Sequence, residues 1–388
     1  MLTAGYEADK NRLTMYDLIS GTIKDLGKDY DNDMNEAAWS YDGKSIYFTS
    51  AVNGCVQLMN MDAVSMKIKQ VTNGIHDITA FRPSQTSLIA TKISMTQPAE
   101  IYRIDPTTGS FMALSHINQK IWDKIKPASV KSKWVRTTDN KQMLVWTIYP
   151  PDFDPSKKYP TLLYCQGGPQ STVSQFFSYR WNFSLMAAKG YIVVAPCRRG
   201  MPGFGQEWNL QISKDWGGQC MKDYLSAIDD ATRESYVDKD RLGAVGASFG
   251  GYSVYYLAGN HNKRFKCFIA HCGMFNMESW YGTTEEMWFA NYDIGGAYWD
   301  KRYMKAYEKF SPHKFVDNWD TPILILHGEK DYRVPLSEGL QAYQAAQLKG
   351  VPSRMVLFPE EGHWIMTPQN SLLWQREFYG WLDKWLKK

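Results

Sequence analysis

A Gly-x-Ser-x-Gly motif at residues 246–250 is the stretch of this sequence best suited to chemistry. It follows the apolar run Leu242 to Val245 and precedes a run with helical character, residues 252–258. A buried strand that reverses into a helix across such a motif forms a nucleophile elbow, with its serine at the tip of the turn. The glycines are needed because backbone meets backbone in so tight a reversal. A serine hydroxyl is a weak nucleophile until a base takes its proton, so Ser248 predicts a histidine and a carboxylate downstream.

Candidates for both partners follow the motif, and each comes directly after an apolar run. Asp331 lies in the loop after the run that ends at Leu326, and Glu329 is a nearby rival for the acid. His363 lies in the loop after the run that ends at Phe358. The chain order serine, acid, histidine is that of α/β-hydrolases. The sequence therefore predicts a catalytic triad of Ser248, Asp331 and His363.

Two backbone N–H groups are predicted to hold negative charge on the attacked carbonyl oxygen. One belongs to Phe249, directly after the serine, and the other to the glycine turn at residues 166–169. We prefer Gly168 as the second donor, and Gly167 is the alternative. If the elbow were absent, an ordinary Gly-Gly-Pro turn would be the simpler interpretation.

Six apolar runs that alternate with helical patterns position these groups. A hairpin pattern at residues 133–150 precedes them. Such alternation implies a mostly parallel sheet covered on both faces, with its site at the carboxyl ends of the strands. Residues 121–388 are therefore predicted to form an α/β-hydrolase catalytic domain. The six runs are Leu162 to Tyr164, Tyr191 to Ala195, Leu242 to Val245, Cys267 to Ala270, Ile323 to Leu326 and Met355 to Phe358.

Residues 1–120 are predicted to form part of a β-propeller. A turn followed by an alternating strand recurs from Trp39 to Phe81, a spacing of 81 − 39 = 42 residues. Four strands per unit at a period of roughly 40 to 45 residues is typical of propeller blades, although a small antiparallel sandwich would also give short alternating strands. The repeat accounts for two blades and part of a third, too few to close a ring. We therefore expect an incomplete propeller, and we interpret the chain as the carboxy-terminal part of a longer protein.

Composition excludes several other classes of protein. A net charge of +4 over 388 residues, without a basic block, indicates neither a nucleic acid nor an anionic membrane as partner. The apolar runs are far shorter than a membrane span. Six cysteines show no metal-binding spacing and no disulfide framework, so neither a metal nor a cofactor is expected. The amino terminus lacks a signal peptide, but in a shortened chain this does not decide the compartment. The oligomeric state is left open, a homo-oligomer included.

In these motifs the chain resembles the prolyl oligopeptidase family of serine peptidases, whose members carry a β-propeller before a carboxy-terminal α/β-hydrolase domain. The likeness extends over the whole second domain, and within the family it favours the branch of acylaminoacyl peptidases and dipeptidyl-peptidase 5. Gln166 departs from the pattern, because many relatives have a histidine there. The motifs that carry the family likeness lie at residues 167–169, 199–205, 246–252, 327–335 and 362–364, and those of the branch at 281–289, 310–313, 351–354 and 368–371.

The resemblance implies a serine peptidase that cleaves short peptides through an acyl-enzyme and releases dipeptides from free amino termini, with the propeller screening out folded proteins. An acylaminoacyl peptidase or an oligopeptidase is the first alternative. An esterase using the same triad, or a non-catalytic binding or scaffold fragment, is the second. The resemblance also implies a periplasmic or secreted protein.

Substrate-binding residues are predicted less directly. Arg333 stands two positions after the acid. At this position the family places a side chain that holds the carbonyl of the residue before the scissile one, although a surface salt bridge would also explain the arginine. Glu285 and Glu286 are candidates for holding a substrate ammonium, with a solvated helix start as the alternative. Three aromatic residues are candidates for an apolar pocket, with core packing as the alternative: Trp288, Phe289 and Tyr252.

Overall fold

The computed structural model describes residues 3–387, and its largest element is an eight-stranded mixed sheet that follows ten strands in smaller sheets. The smaller sheets contain β1 (Thr14–Tyr16), β2 (Ile23–Asp25), β3 (Asn35–Trp39), β4 (Ser45–Val52), β5 (Cys55–Asp62), β6 (Ile68–Gln70), β7 (Asp77–Pro83), β8 (Leu88–Ser94), β9 (Gln97–Ile104) and β10 (Phe111–Ala113). The large sheet contains β11 (Ser129–Arg136), β12 (Gln142–Tyr149), β13 (Tyr159–Cys165), β14 (Ile192–Pro196), β15 (Val237–Ala247), β16 (Cys267–His271), β17 (Ile323–Gly328) and β18 (Ser353–Phe358).

Ten α-helices and one 3₁₀ segment, Pro312–Asn318, accompany these strands in the described part of the chain. The helices are α1 (Gln119–Trp122), α2 (Phe183–Ala188), α3 (Gln206–Leu210), α4 (Gln219–Ala231), α5 (Phe249–Ala258), α6 (Met277–Thr283), α7 (Met287–Ile294), α8 (Met304–Phe310), α9 (Leu336–Leu348) and α10 (Pro368–Leu386).

The large sheet has the order β11-β12-β14-β13-β15-β16-β17-β18. Pairing is antiparallel from β11 to β12 and from β12 to β14, and it is parallel from β14 to β18. The central strands are continuous apolar runs because both faces of the sheet are covered. One buried cluster lies between the sheet and α4, α5 and α9, and a second lies between the sheet and α2 and α10. The predicted α/β-hydrolase sheet, with its six strands, is confirmed.

Two four-stranded antiparallel sheets precede the large one. They run β3-β4-β5-β6 and β7-β8-β9-β10, and β1 pairs with β2 in a separate hairpin. Leu58 on β5 shares a buried cluster with Ile78 and Phe81 on β7, so the two sheets pack together. Four antiparallel strands per sheet is the size of a propeller blade. We retain as a proposal both the propeller and the division of the chain into residues 1–120 and 121–388.

None of the helices that the structure describes combines the length and the apolar character that crossing a membrane requires.

The turn from β15 into α5 depends on very close backbone contacts. A Cβ atom on Gly250 would lie 2.0 Å from the carbonyl oxygen of Cys165 at the end of β13. A Cβ on Gly246 would lie 2.5 Å from the carbonyl oxygen of Gly250. No side chain fits at either position, so glycine is required for α5 to begin directly against the sheet.

Gly250→Ala is expected to lower the free energy of unfolding by about 2–4 kcal/mol, because the methyl group meets backbone that cannot rotate away. Urea denaturation followed by circular dichroism measures the change. Gly380→Ala is the matched control: Gly380 lies within α10 with nothing within 4 Å of an added Cβ. That substitution should stabilise the protein by about 0.5–1 kcal/mol. Equal effects of the two substitutions would contradict the steric account.

Candidate active site

Ser248 lies at the tip of the turn between β15 and α5. Its backbone has φ 58° and ψ −124°, a conformation that costs a non-glycine residue on the order of 1–3 kcal/mol. The strain is maintained because the N–H of Ser248 donates to the carbonyl of His271 at 2.9 Å and the flanking glycines are packed against backbone. The side chain is half-buried and lines a cavity of about 470 Å³.

The loop after β17 fixes a buried carboxylate, that of Asp331. Its Oδ1 accepts the backbone N–H groups of Arg333 at 3.0 Å and Val334 at 2.9 Å. Its Oδ2 is thereby directed to Nδ1 of His363, 2.7 Å away. Glu329, the rival acid, is exposed. Of the two predicted acids, the structure therefore brings Asp331 to the histidine.

His363 is buried at the cavity wall, in the loop after β18. It lines the same cavity as Ser248. Its Nε2 lies 4.0 Å from Sγ of Cys272, which follows β16 with φ 41°. Burial lowers the pKa of His363, whereas the contacts with Cys272 and the Asp331 carboxylate raise it, and the balance is upward. An imidazole in this setting can accept a proton on one nitrogen while the carboxylate fixes the other.

The glycine turn after β13 completes the wall beside the serine. Gly167 and Gly168 both line the cavity, and Gly168 has φ 112°, which only glycine adopts readily. A Cβ on Gly167 would lie 3.6 Å from that of Ser248. Within residues 3–387 no protein acceptor is recorded for the N–H groups of Gly167, Gly168 or Phe249. All three remain available to a ligand, so the structure does not separate Gly168 from Gly167.

Two buried residues that sequence reasoning did not select hold this turn in place. Arg198 donates from Nη1 to the carbonyl of Pro169 at 2.8 Å and from Nη2 to that of Gln166 at 3.3 Å. Asp293 accepts from the side chain of Gln170 at 3.0 Å, and burial raises its pKa to about 6. The loop that begins at Arg198, whose residues 199–205 belong to the family likeness, thus holds the glycine turn through hydrogen bonds to its carbonyl groups.

The structure separates the predicted substrate-binding residues into two groups. Arg333, Glu286 and Phe289 line the cavity. Tyr252 is fully buried in the core, where its hydroxyl donates to the carbonyl of Phe310 at 2.9 Å. Trp288 is 70% exposed and does not line the cavity.

Arg333 is surrounded by acidic and aromatic partners. Its guanidinium lies 2.9 Å from Glu286 and 3.5 Å from Glu285, and it stacks over the ring of Trp364 at 5.0 Å. Burial raises the pKa of Glu286, while Arg333 lowers it. The two predicted carboxylates and the predicted arginine therefore form a single cluster.

Three further residues at the site, Glu7, Arg180 and Cys272, were missed from the sequence. Glu7 reaches the cavity from the amino-terminal segment, which packs against α7: a Cβ on Gly5 would lie 1.9 Å from the carbonyl oxygen of Trp288. Arg180 comes from the segment before α2. None of the three belongs to a motif, and only the tertiary fold brings them to the serine.

One group in the described part of the chain brings together three side chains of the kinds that bind metals: Cys272, Asp331 and His363, whose donor atoms lie within 4.8 Å of one another. The hydrogen bond between Asp331 and Nδ1 of His363 already joins two of these donors. The arrangement is therefore that of an acid orienting an imidazole, with the thiol beside it.

Labelling of Ser248 by a sulfonyl fluoride should report the protonation of His363. The rate should rise with pH as the imidazole loses its proton, with a midpoint above the ordinary value of about 6.5, because the pKa is raised in the folded protein. Cys272→Ala removes one of the contacts that raise this pKa, so it should move the midpoint to lower pH. Intact-mass spectrometry over time measures the rate.

Cys267→Ala is the control for that experiment. Cys267 is equally buried in β16 but does not contact His363. The account of the histidine is contradicted if both cysteine variants shift the midpoint alike, or if neither does.

Comparison with known proteins places this geometry in a family. The model of the prolyl oligopeptidase family matches residues 177–388. Dipeptidyl-peptidase 5 of Porphyromonas gingivalis is 51% identical over 386 residues, which cover 99% of this chain and 56% of that protein. Dipeptidyl-peptidase 5 of Porphyromonas endodontalis is 52% identical over 346 residues, covering 89% of this chain and 50% of that protein.

A solved structure agrees with this placement. The acylaminoacyl peptidase of Pyrococcus horikoshii superposes with a TM-score of 0.89 at 26% identity, covering 99% of this chain and 60% of that one. The chain thus spans about half the length of the curated relatives it matches. With the family model matching more than half of its residues, the chain belongs to the prolyl oligopeptidase family of serine-type peptidases.

Proposed function

We propose that this chain carries the catalytic site of a serine peptidase that cleaves short peptides by acyl transfer. The observation that carries the proposal is that Ser248, on a strained elbow, shares one cavity with a buried imidazole that a carboxylate orients. Ser248 attacks the peptide carbonyl while His363 takes its proton and passes it to the leaving amine. Asp331 holds the tautomer, and water then releases the acyl group.

The oxyanion formed in this reaction is assigned to two backbone donors, Phe249 and Gly168. Phe249 begins α5, and its N–H has no recorded acceptor in residues 3–387. Each such donor typically contributes about 3–4 kcal/mol to stabilising the transition state. Gly167 is the alternative to Gly168, because both line the cavity.

The charges around the cavity favour a substrate with a free amino terminus. Glu285 and Glu286 face Arg333, and Glu7 adds a third carboxylate, so acidic groups outnumber this arginine. A desolvated ammonium needs such a carboxylate excess. Arg333 is assigned to the carbonyl of the residue before the scissile one. Release of dipeptides follows as the specific activity, in keeping with the names of the two Porphyromonas relatives.

An acylaminoacyl peptidase is the second candidate, favoured by the structural likeness to the Pyrococcus enzyme. A blocked amino terminus carries no ammonium, so it would gain nothing from Glu7 or Glu286. The carboxylate excess therefore supports the dipeptidyl activity. An esterase would use the same triad, and a scaffold protein would not need it.

The proposal extends to the setting of this activity. Short peptides are the partners, and the sheets of residues 1–120 would contribute to a propeller that limits access to the site. The family resemblance favours the periplasm or the exterior of the cell. The six cysteines are buried and unpaired, so oxidants in such a compartment would have little access to their thiols.

Ser248→Ala should abolish turnover while leaving the thermal unfolding midpoint close to that of the unchanged chain, because the serine supplies the nucleophile and little packing. The assay is hydrolysis of chromogenic dipeptidyl amides with free amino termini, the same dipeptides blocked, an acyl-amino acid amide and a simple ester. Cleavage of the free dipeptides above all others is expected. Preference for the blocked compounds would replace the dipeptidyl assignment with the acylaminoacyl one, and undiminished activity in the variant would refute the mechanism.

Glu7→Gln should raise KM for free dipeptidyl amides by roughly 3–10-fold, the size expected for one partly solvated charge contact, with a smaller effect on kcat. Steady-state kinetics on free and blocked substrates separate this electrostatic effect from general damage, since the blocked substrates should change little. Glu308→Gln, an exposed substitution on α8, is the charge-matched control. A variant of Glu7 that behaves like the Glu308 variant would exclude Glu7 from substrate binding.

A further inference from the structure

Arg180 brings a second positive charge to the cavity, and the proposed mechanism does not use it. The residue lines the cavity together with Ser248 and His363. Its Nη1 donates to the carbonyl oxygen of His363 at 3.2 Å and lies 3.4 Å from Nδ1 of His271. These contacts place the guanidinium against the loop of the proposed catalytic histidine.

No carboxylate among the described residues forms an ion pair with Arg180, although the charge of Asp331 acts on it from beyond ion-pairing distance. Arg333, the other arginine of the cavity, faces Glu285 and Glu286, whereas the contacts of Arg180 are a carbonyl and an imidazole. Burial, and after it the positive charge of Arg180, holds the pKa of His271 well below its ordinary value. The imidazole is therefore neutral. A half-buried guanidinium without an ion-paired carboxylate is costly, and an anion entering the cavity would relieve that cost.

The hydrogen-bonding capacity of Arg180 is also largely unused. In residues 3–387 no acceptor is recorded for its Nε or its Nη2. A guanidinium presents its N–H groups as a planar fork that matches the two oxygens of a carboxylate. The group best suited to the remaining donors is therefore a carboxylate from the substrate.

Acidic and basic groups reach the cavity from different parts of the chain. Glu7 and Glu286 reach it from the amino-terminal segment and the start of α7, while Arg180 reaches it from the segment before α2. Both arginines contact the loop that carries His363: Arg180 donates to the carbonyl of His363, and Arg333 stacks on the ring of the adjacent Trp364. A short peptide with charges at both ends matches this distribution when its scissile bond lies near His363.

We propose that Arg180 binds the carboxy-terminal carboxylate of the leaving residue, which makes free tripeptides the favoured substrates. This inference rests on the proposed dipeptidyl activity. The bond after the second residue breaks, the dipeptidyl group passes to Ser248, and the leaving amine takes the proton from His363. Water then hydrolyses the acyl-enzyme, so the products are a dipeptide and a free amino acid whose carboxylate Arg180 has held.

The test measures binding in the Ser248→Ala variant, in which tripeptides stay intact. Isothermal titration calorimetry compares trialanine with its carboxy-terminal amide, which differ in charge only at the end that Arg180 contacts. The acid is expected to bind about tenfold more tightly or better, as is typical for a charge-assisted pair. Equal affinity of the two ligands, or no binding of either at millimolar concentration, overturns the proposal.

A second variant separates binding from a structural role. Arg180→Gln, added to Ser248→Ala, should bring the ratio of the two affinities close to one, and Arg180→Lys should leave an intermediate ratio because it keeps the charge but not the fork. If Arg180 only supports the fold, both ligands weaken together and the ratio is unchanged, which would contradict the proposal. Arg376→Gln, on the exposed side of α10, should leave the ratio unaltered.

Failure of this inference is distinguishable from failure of the proposed function. Dipeptidyl chromogenic amides carry no carboxylate on the leaving side, so their cleavage by the unchanged chain tests the dipeptidyl activity alone. Cleavage of those substrates together with equal binding of trialanine and its amide would reject the role of Arg180 and retain the activity.

Discussion

The contact of Gly250 with the carbonyl of Cys165 is the constraint on which the rest of the site depends. It lets α5 start directly against β13 and β15, so that the serine between strand and helix has no room to relax. The strained backbone of Ser248 follows from this contact and not from its own side chain. The same approach brings Gly167 next to the serine, so the nucleophile and the proposed oxyanion donors are positioned by one piece of backbone packing.

Electrostatic interactions orient the side chains that the backbone packing does not fix. Two backbone N–H groups hold one oxygen of Asp331, which directs the other to His363, and burial keeps both groups away from water. Around them the cavity distributes charge unevenly: carboxylates outnumber Arg333, and no carboxylate of residues 3–387 forms an ion pair with Arg180. Under the proposed function, such an arrangement selects substrates by their end charges more than by their side chains, which suits free tripeptides.

The sequence predicts those parts of the site that local chain geometry determines. The elbow, the acid loop and the histidine loop each follow a buried strand, and parallel strands bring their carboxyl ends to one edge, so Ser248, Asp331 and His363 could be placed without a structure. Continuous apolar runs likewise predict the strands of the large sheet, and alternating runs predict those of the four-stranded sheets.

Residues whose position depends on long-range packing could not be predicted. Glu7 reaches the site because the backbone of Gly5 packs against Trp288, some 280 residues away in sequence, and no motif records that contact. Arg180 lies in a segment without periodicity. Tyr252 stands only four residues after the serine, but the direction in which α5 turns its side chain, into the core beside Phe310, is set by tertiary packing. Proximity in sequence to a catalytic residue therefore says little about contact with substrate.

The most direct measurement of the central claim is covalent trapping with a dipeptidyl diphenyl phosphonate, prepared with a free and with a blocked amino terminus. Peptide mapping by mass spectrometry locates the adduct, and its rate of formation compares the two reagents. The account predicts a single adduct on Ser248 that forms faster with the free amino terminus. An adduct elsewhere, no adduct, or faster reaction of the blocked reagent would contradict it.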